Sequence, residues 1–232
     1  DWDDYLEPNA IELLYNSMIK DDGDIVVGAC VYENEFGERI TEWNSYLLGT
    51  SQADYLKSMF RLQLQLNIWG RLIRREIFDV VNIPDHFFGG EDIIANTMMI
   101  CYNKNLKIRT IDNCIYHYLV RKESLTNSIS PSEFMDYTVE VEKILIETNF
   151  EELVMKEWAY YMIVSAWRKY LRKGGRRFLK DKVFVKNLYG KYFDLIKQDL
   201  DFFERFELFL FKLNPTIARL VSRTLFKLSV LK

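Results

Sequence analysis

Cysteine is scarce in this sequence: Cys30, Cys101 and Cys114 are the only three in 232 residues, and no CxxC pair occurs. An odd, scattered set without CxxC spacing argues against a disulfide scaffold or a zinc site, and it fits a reducing, cytosolic setting. Long apolar runs are missing too. No stretch of eighteen apolar residues offers a bilayer-spanning helix. No P-loop accompanies the acidic residues. Charge of one sign is also scarce in two regions. Residues 1–54 hold 13 acidic and 2 basic side chains, and residues 168–191 hold 10 basic and 1 acidic, within a net charge of −3. This asymmetry points to a metal-binding acidic end and to a basic surface facing an anionic partner.

What is present is ordinary globular material, 49% apolar and 28% charged, with a high aromatic share of 15%. Helical spacing of Ala10, Ile11, Leu14 and Met18 predicts a helix over 9–20, and the β-branched run 25–32 predicts a buried strand. Residues 38–42 read as a returning strand and 51–60 as a helix. Alternation over 61–66 favours a strand. A short strand and a helix start are expected within 69–78, a loop over 82–90, a helix over 91–103, and two strands at 106–111 and 115–120. From residue 131 the pattern is helical only: 133–148, 151–173, 177–188, 191–212 and 215–231, with breaks at Asn149, Gly174-Gly175 and Gly190. Mixed strands and helices up to about residue 130 imply an α/β fold, and the rest an all-helical tail.

The chain opens on Asp1-Trp2-Asp3-Asp4-Tyr5-Leu6-Glu7-Pro8. In an extended backbone Asp1 and Asp3 point to one side. Two carboxylates with no base beside them repel unless a hard divalent cation neutralises them, and carboxylate oxygens suit Mg²⁺ or Mn²⁺. The alternative is a solvated acidic loop, with Asp4 as N-cap and Pro8 in the first turn of the helix. Asp92 follows Gly89-Gly90 at a helix start, where a carboxylate can face a cleft and take a proton as a general base. Glu91 and Asp92 can equally serve the helix dipole. His117 is a metal-ligand candidate. Arg121, on the same face of an extended strand, carries a donor fork suited to phosphate. Trp69 offers a ring for sugar stacking or for packing.

These stretches together resemble family 2 glycosyltransferases of the GT-A type. Asp1 to Pro8 resembles the family's metal-binding motif, and Trp69-Gly70-Arg71-Leu72-Ile73-Arg74-Arg75-Glu76-Ile77-Phe78 its Trp-x-Lys-Leu-Tyr-Arg-Arg-Glu-Leu-Phe stretch. Gly90-Glu91-Asp92 resembles its Glu-Asp motif, and Tyr116 to Arg121 with Ser124 its Tyr-x-Tyr-x-x-Arg…Ser ending. The motifs cover about residues 1–128 and occur in the family's order. Arg71 stands where the family usually has Lys, and His117 where many members have an aromatic.

The resemblance implies the C-terminal part of a GT-A mixed-sheet domain over 1–130, with a helical region over 131–232. It implies a non-processive, inverting transfer of sugar from a nucleotide-sugar to a glycan or lipid-linked hydroxyl, in cell-surface polysaccharide or glycoconjugate synthesis. Neither a Gln-x-x-Arg-Trp signature nor spanning helices mark a processive polymerase. Mn²⁺ or Mg²⁺ would be met by Asp3, the family's last Asp of Asp-x-Asp; Asp1 and His117 are further ligand candidates from their own chemistry. Asp92 would be the base, Glu91 would place the acceptor, and Asp4, Trp69 and Arg121 would line the substrate. The chain starts with Asp inside a motif, so a fragment lacking its upstream nucleotide-binding half, and inactive alone, is expected. Two alternatives stay open: a metal-dependent phosphoryl-transfer enzyme, and a non-catalytic polyanion-binding or membrane-surface module. The second rests on the tail, where Arg219, Arg223 and Lys227 recur every four residues beside apolar positions. A cytoplasmic location is expected from the sparse cysteines; the stripe places the chain on the inner face of the membrane if it meets anionic headgroups, the alternative being a helix packed on the globular body with its bases in water.

Overall fold

The computed structural model describes residues 3–43, 51–83, 87, 89–121, 131–150, 152–172 and 182–230. The order is β1 (Tyr5–Leu6), α1 (Ala10–Lys20), β2 (Ile25–Glu33), β3 (Arg39–Trp43), α2 (Gln52–Phe60), β4 (Arg71–Ile73), a 3₁₀ helix (Arg75–Val80), α3 (Glu91–Tyr102) and β5 (Ile108–Leu119). Then come α4 (Pro131–Glu147), α5 (Glu152–Arg172), α6 (Lys182–Ile196), α7 (Phe202–Leu213) and α8 (Pro215–Val230). The architecture is mixed α/β, as expected.

β2 is the spine of a mixed sheet. It pairs parallel with β5 on one edge and antiparallel with β4 and β3 on the other, and β1 closes the far side of β5. Flanked on both edges, β2 carries the continuous apolar run that a central strand needs, and Ile25 to Val31 are fully buried. Ala10, Leu14 and Met18 of α1 pack with Val26, Cys30, Ile115 and Tyr116. Removing one such leucine typically costs about 2–5 kcal/mol.

Three local expectations change. The two strands at 106–111 and 115–120 are one strand, β5. Its pairing with β2 jumps from Gly28↔Ile111 to Ala29↔Cys114, so Asp112 and Asn113 bulge out into solvent. Gly28 makes room for this, since a Cβ there would lie 2.4 Å from Ile115 Cγ1. Residues 61–66 are not a strand. Leu62 takes φ +58°, and the Gln63 and Leu64 amides turn back onto the Ser58 carbonyl at the end of α2. Alternation there reflects a helix end that buries Leu64 and Gln65 side by side. Gly190 does not break a helix but lies inside α6. The break falls near Asp201, whose carboxylate accepts from the Glu204 amide while Glu204 accepts from the Asp201 amide.

The chain divides into two compact units, 1–129 with 136–155, and 130–135 with 156–232. The helical stretch from 131 is thus shared between them. Among the described residues no helix is long and apolar enough to cross a membrane. Of the expected basic stripe, the side chains of Arg223 and Lys227 lie outside the described residues, as does the cluster at 168–177. Arg219 is half-buried rather than standing in solvent.

Candidate active site

Asp1 lies outside the described residues. Asp3 does not: its Oδ2 pairs with Arg121 Nε at 3.1 Å, and the Asp3 side chain is only 17% exposed. Asp4 is not the N-cap of α1; Asn9 is. The Asp4 carboxylate instead accepts from the Tyr116 hydroxyl at 2.7 Å and from the Leu119 amide at 2.9 Å. Both Asp4 oxygens thus help fasten the acidic turn to β5. Burial, then the Asp4 contact, pushes the Tyr116 phenol well above its ordinary pKa, so it remains a donor.

Trp69 joins this turn to the next feature. Its indole stacks on Tyr116 at 4.3 Å and 11° and lies near-parallel to Tyr118 at 5.6 Å, while Tyr32 meets it edge-on. The residue is half-buried, so part of its surface stays accessible.

Asp92 sits in the first turn of α3. Gly90 caps that helix with φ +90°, and a Cβ there would come within 2.2 Å of the Tyr137 ring. Only glycine fits both the backbone angle and the space. The Asp92 carboxylate accepts from Asn67 Nδ2 at 3.3 Å and from the Ile68 backbone N–H. Burial raises its pKa first and Glu91 adds to the rise, against the pull of Arg71 and these two donors. Glu91 itself is exposed. Asp92, segment 67–69, Tyr116 and Asp4 form one unbroken run of contacts leading to Asp3 and Arg121.

The sequence reading missed what holds this run in place. The Arg71 guanidinium donates to Tyr55 Oη, Asn96 Oδ1 and the Gln65 carbonyl. Asn96 Nδ2 in turn bonds the Leu66 and Asp92 carbonyls, both at 2.9 Å. A planar fork can serve three acceptors at once, which a Lys at this position cannot do in one plane. The Arg-for-Lys departure in the sequence was the available signal.

His117 is 4% exposed, and both ring nitrogens are engaged. Nδ1 lies 2.9 Å from Glu33 Oε1 and Nε2 lies 2.9 Å from Glu7 Oε1. Neither nitrogen meets Asp3. Tyr5 stacks on the imidazole at 4.2 Å and 9° and donates its hydroxyl to Glu33 at 2.8 Å. That bond pushes the Tyr5 pKa up to about 12 and, with His117, lowers that of Glu33. Arg121 lies beyond the end of β5, so it does not continue a strand face with His117.

No family model and no curated protein matches the chain. Solved structures do. S. aureus TarS 1-349 in complex with UDP-GlcNAc superposes with a TM-score of 0.60 at 13% identity, over 98% of this chain and 66% of that one. The same protein in complex with UDP gives 0.56 at 13%, over 98% and 65%. A longer S. aureus TarS structure gives 0.55 at 12%, over 84% and 33%. The chain shares a glycosyltransferase fold. It spans about two thirds or less of the length of each TarS structure.

Proposed function

We propose that the protein is a metal-dependent glycosyltransferase of the GT-A, family 2 kind. It moves one sugar, with inversion, from a nucleotide-sugar to a hydroxyl of a glycan or lipid-linked acceptor in cell-surface polysaccharide or glycoconjugate synthesis. The observation that carries this reading is the placement of Asp92. In a TarS-like fold, a half-buried carboxylate of raised pKa stands at a helix start and connects, through 67–69 and Tyr116, to an acidic turn.

Asp92 accepts the proton of the acceptor hydroxyl as its oxygen attacks the anomeric carbon and the bond to the diphosphate breaks. Its raised pKa makes it a better base than an exposed Asp. Glu91, exposed beside it, orients the acceptor, and the accessible part of Trp69 gives the sugar a surface to stack on. In the acidic turn Asp3 is the carboxylate assigned to the cation, as the resemblance implies for this position, and its Oδ2 is already held by Arg121. Asp3, with Asp1, would hold Mn²⁺ or Mg²⁺, which when bound neutralises the leaving diphosphate. Arg121, fixed by Asp3, offers its fork to the same phosphates. His117 belongs to a separate cluster and takes no part in this assignment.

The TarS structures carry UDP-GlcNAc and UDP, so UDP-sugars are the first donors to try. The chain spans about two thirds or less of each TarS structure, so turnover is to be measured in the full-length protein. Metal-dependent transfer that disappears in excess chelator and in Asp92→Asn is the expected result. Full activity in chelator would sink the metal assignment.

Peripheral membrane attachment is a separate part of this reading. Phe202, Phe203, Phe209, Leu213, Ile217 and Leu220 are exposed on α7 and α8. Flotation with strongly anionic vesicles at low salt is the check, and a protein that stays in the soluble fraction overturns it.

A further inference from the structure

We propose that Glu7, Cys114 and His117 form a second metal site, selective for a borderline divalent ion such as Zn²⁺ and distinct from the Asp3 site. The three ligand atoms lie within 4.8 Å of one another. They come from two elements that the backbone already ties together: the Glu7 amide donates to the Ile115 carbonyl at 3.0 Å, while Cys114 and His117 belong to β5. Tetrahedral zinc with N, O and S ligands needs its ligand atoms about 3.3–3.6 Å apart, from bond lengths of about 2.0–2.3 Å. His117 Nε2 and Glu7 Oε1 stand at 2.9 Å and no two of the three ligand atoms are more than 4.8 Å apart, so small side-chain movements bring them to that spacing.

The surroundings match what a ligating imidazole requires. A metal-bound His commonly donates its other N–H to a carboxylate, which sets the tautomer and the ring plane. Here Nδ1 faces buried Glu33, and Glu33 is itself held by the Tyr5 hydroxyl. The Tyr5 ring covers one face of the imidazole. Two carboxylates thus converge on one histidine, Glu33 at Nδ1 and Glu7 at Nε2. A cation between Nε2, Glu7 and Cys114 satisfies Glu7 and leaves Nδ1–H for Glu33. A sulfur-nitrogen-oxygen set favours Zn²⁺ over the hard ions that suit Asp3. Three protein ligands leave a fourth position for water. Bound metal would cross-link the end of the acidic turn to β5, four residues after Asp3. This inference does not depend on glycosyl transfer.

The probe is Co²⁺ or Zn²⁺ alone, added to the metal-free chain. Co²⁺ should give a thiolate-to-metal charge-transfer band at one equivalent, abolished by Zn²⁺ but not by excess Mg²⁺. Cys114→Ser should remove the band. Glu33→Gln should weaken Zn²⁺ binding about 10–100-fold, as loss of such outer partners does, with the circular dichroism of the metal-free chain unchanged. Asp3→Asn should leave both signals intact. Absence of the band in the unmodified chain overturns the proposal without reference to any variant. So does a band that survives Cys114→Ser, which would place the thiolate at Cys30 or Cys101, or one that is lost in Asp3→Asn.

Discussion

Arg71, half-buried, and Glu204, buried, are charged groups, one in each unit, and they reach their partners in different ways. Arg71 gathers acceptors from three separated segments, on Tyr55, Gln65 and Asn96. Glu204 closes a capping box with Asp201, three residues away, and receives the Tyr160 hydroxyl at 2.9 Å. The sheet unit repeats the first pattern at Asp4 and His117, whose partners lie 84 to 115 residues away. In the helical unit polar contacts close helix ends or join neighbouring helices, as Ser222 does with Glu207. The lesson is that side chains brought together from far apart in sequence hold the candidate chemistry, and that disturbing one of them is felt at another.

The largest effect expected is on Asp92. Asp92→Asn should lower turnover by at least about 100-fold, the contribution typical of a general base, while donor affinity holds. It should also leave thermal stability at neutral pH equal or raised. The sign follows from the raised pKa: the folded chain holds this proton more tightly than the unfolded one. Stability from Asp92 is therefore full below the ordinary carboxyl value of 3.8 and is lost as pH rises through the folded pKa. Turnover should rise through that same pH window, and the Asn variant should lose the corresponding dependence of stability. Calorimetry across pH and a turnover profile measure the two. A variant less stable than the parent at neutral pH would contradict the burial argument.

Arg71→Lys tests how far the long-range network reaches. It should cost about 1–3 kcal/mol for each acceptor left buried and unpaired, read by urea unfolding, and it should also reduce turnover, because Asn96 and segment 65–67 lose their anchor. Unchanged turnover at reduced stability would separate the network from the site.

A glycine in each unit sharpens the comparison. Gly90→Ala combines an unfavourable φ with a clash against Tyr137, and should destabilise by about 1–3 kcal/mol. Gly190→Ala, inside α6 with no atom within 4 Å of the added Cβ, should stabilise by about 0.5–1 kcal/mol. Thermal melts should move in opposite directions; movement in the same direction would break the contrast.

Periodicity made α1, β2, α2, α3 and most of the tail legible in the sequence, because burial of one face is a local pattern. Asp3, Asp92 and Arg121 were legible as candidates because they fall on motifs that resemble one family's in order; taken alone, the acidic turn and the helix start equally fit a solvated loop and a helix dipole. Where a pattern had two causes, the reading went astray. The alternating leucines at 61–66 belong to a helix end, and Gly190 is simply tolerated within an exposed helix.

Composition and spacing determined that this chain is an α/β protein with a helical tail and an acidic start. Only the tertiary structure decided what each polar group does. Asp4 became a clasp and not a cap because β1 pairs with β5, which brings Tyr116 and Leu119 to its carboxylate. His117 turned from Asp3 to Glu7 and Glu33 because the register places Tyr5 opposite His117, and His117 beside Val31 of β2. Strand pairing joins residues that no local window contains, and a hydrogen bond depends on where its partner arrives, not on how far along the chain it began.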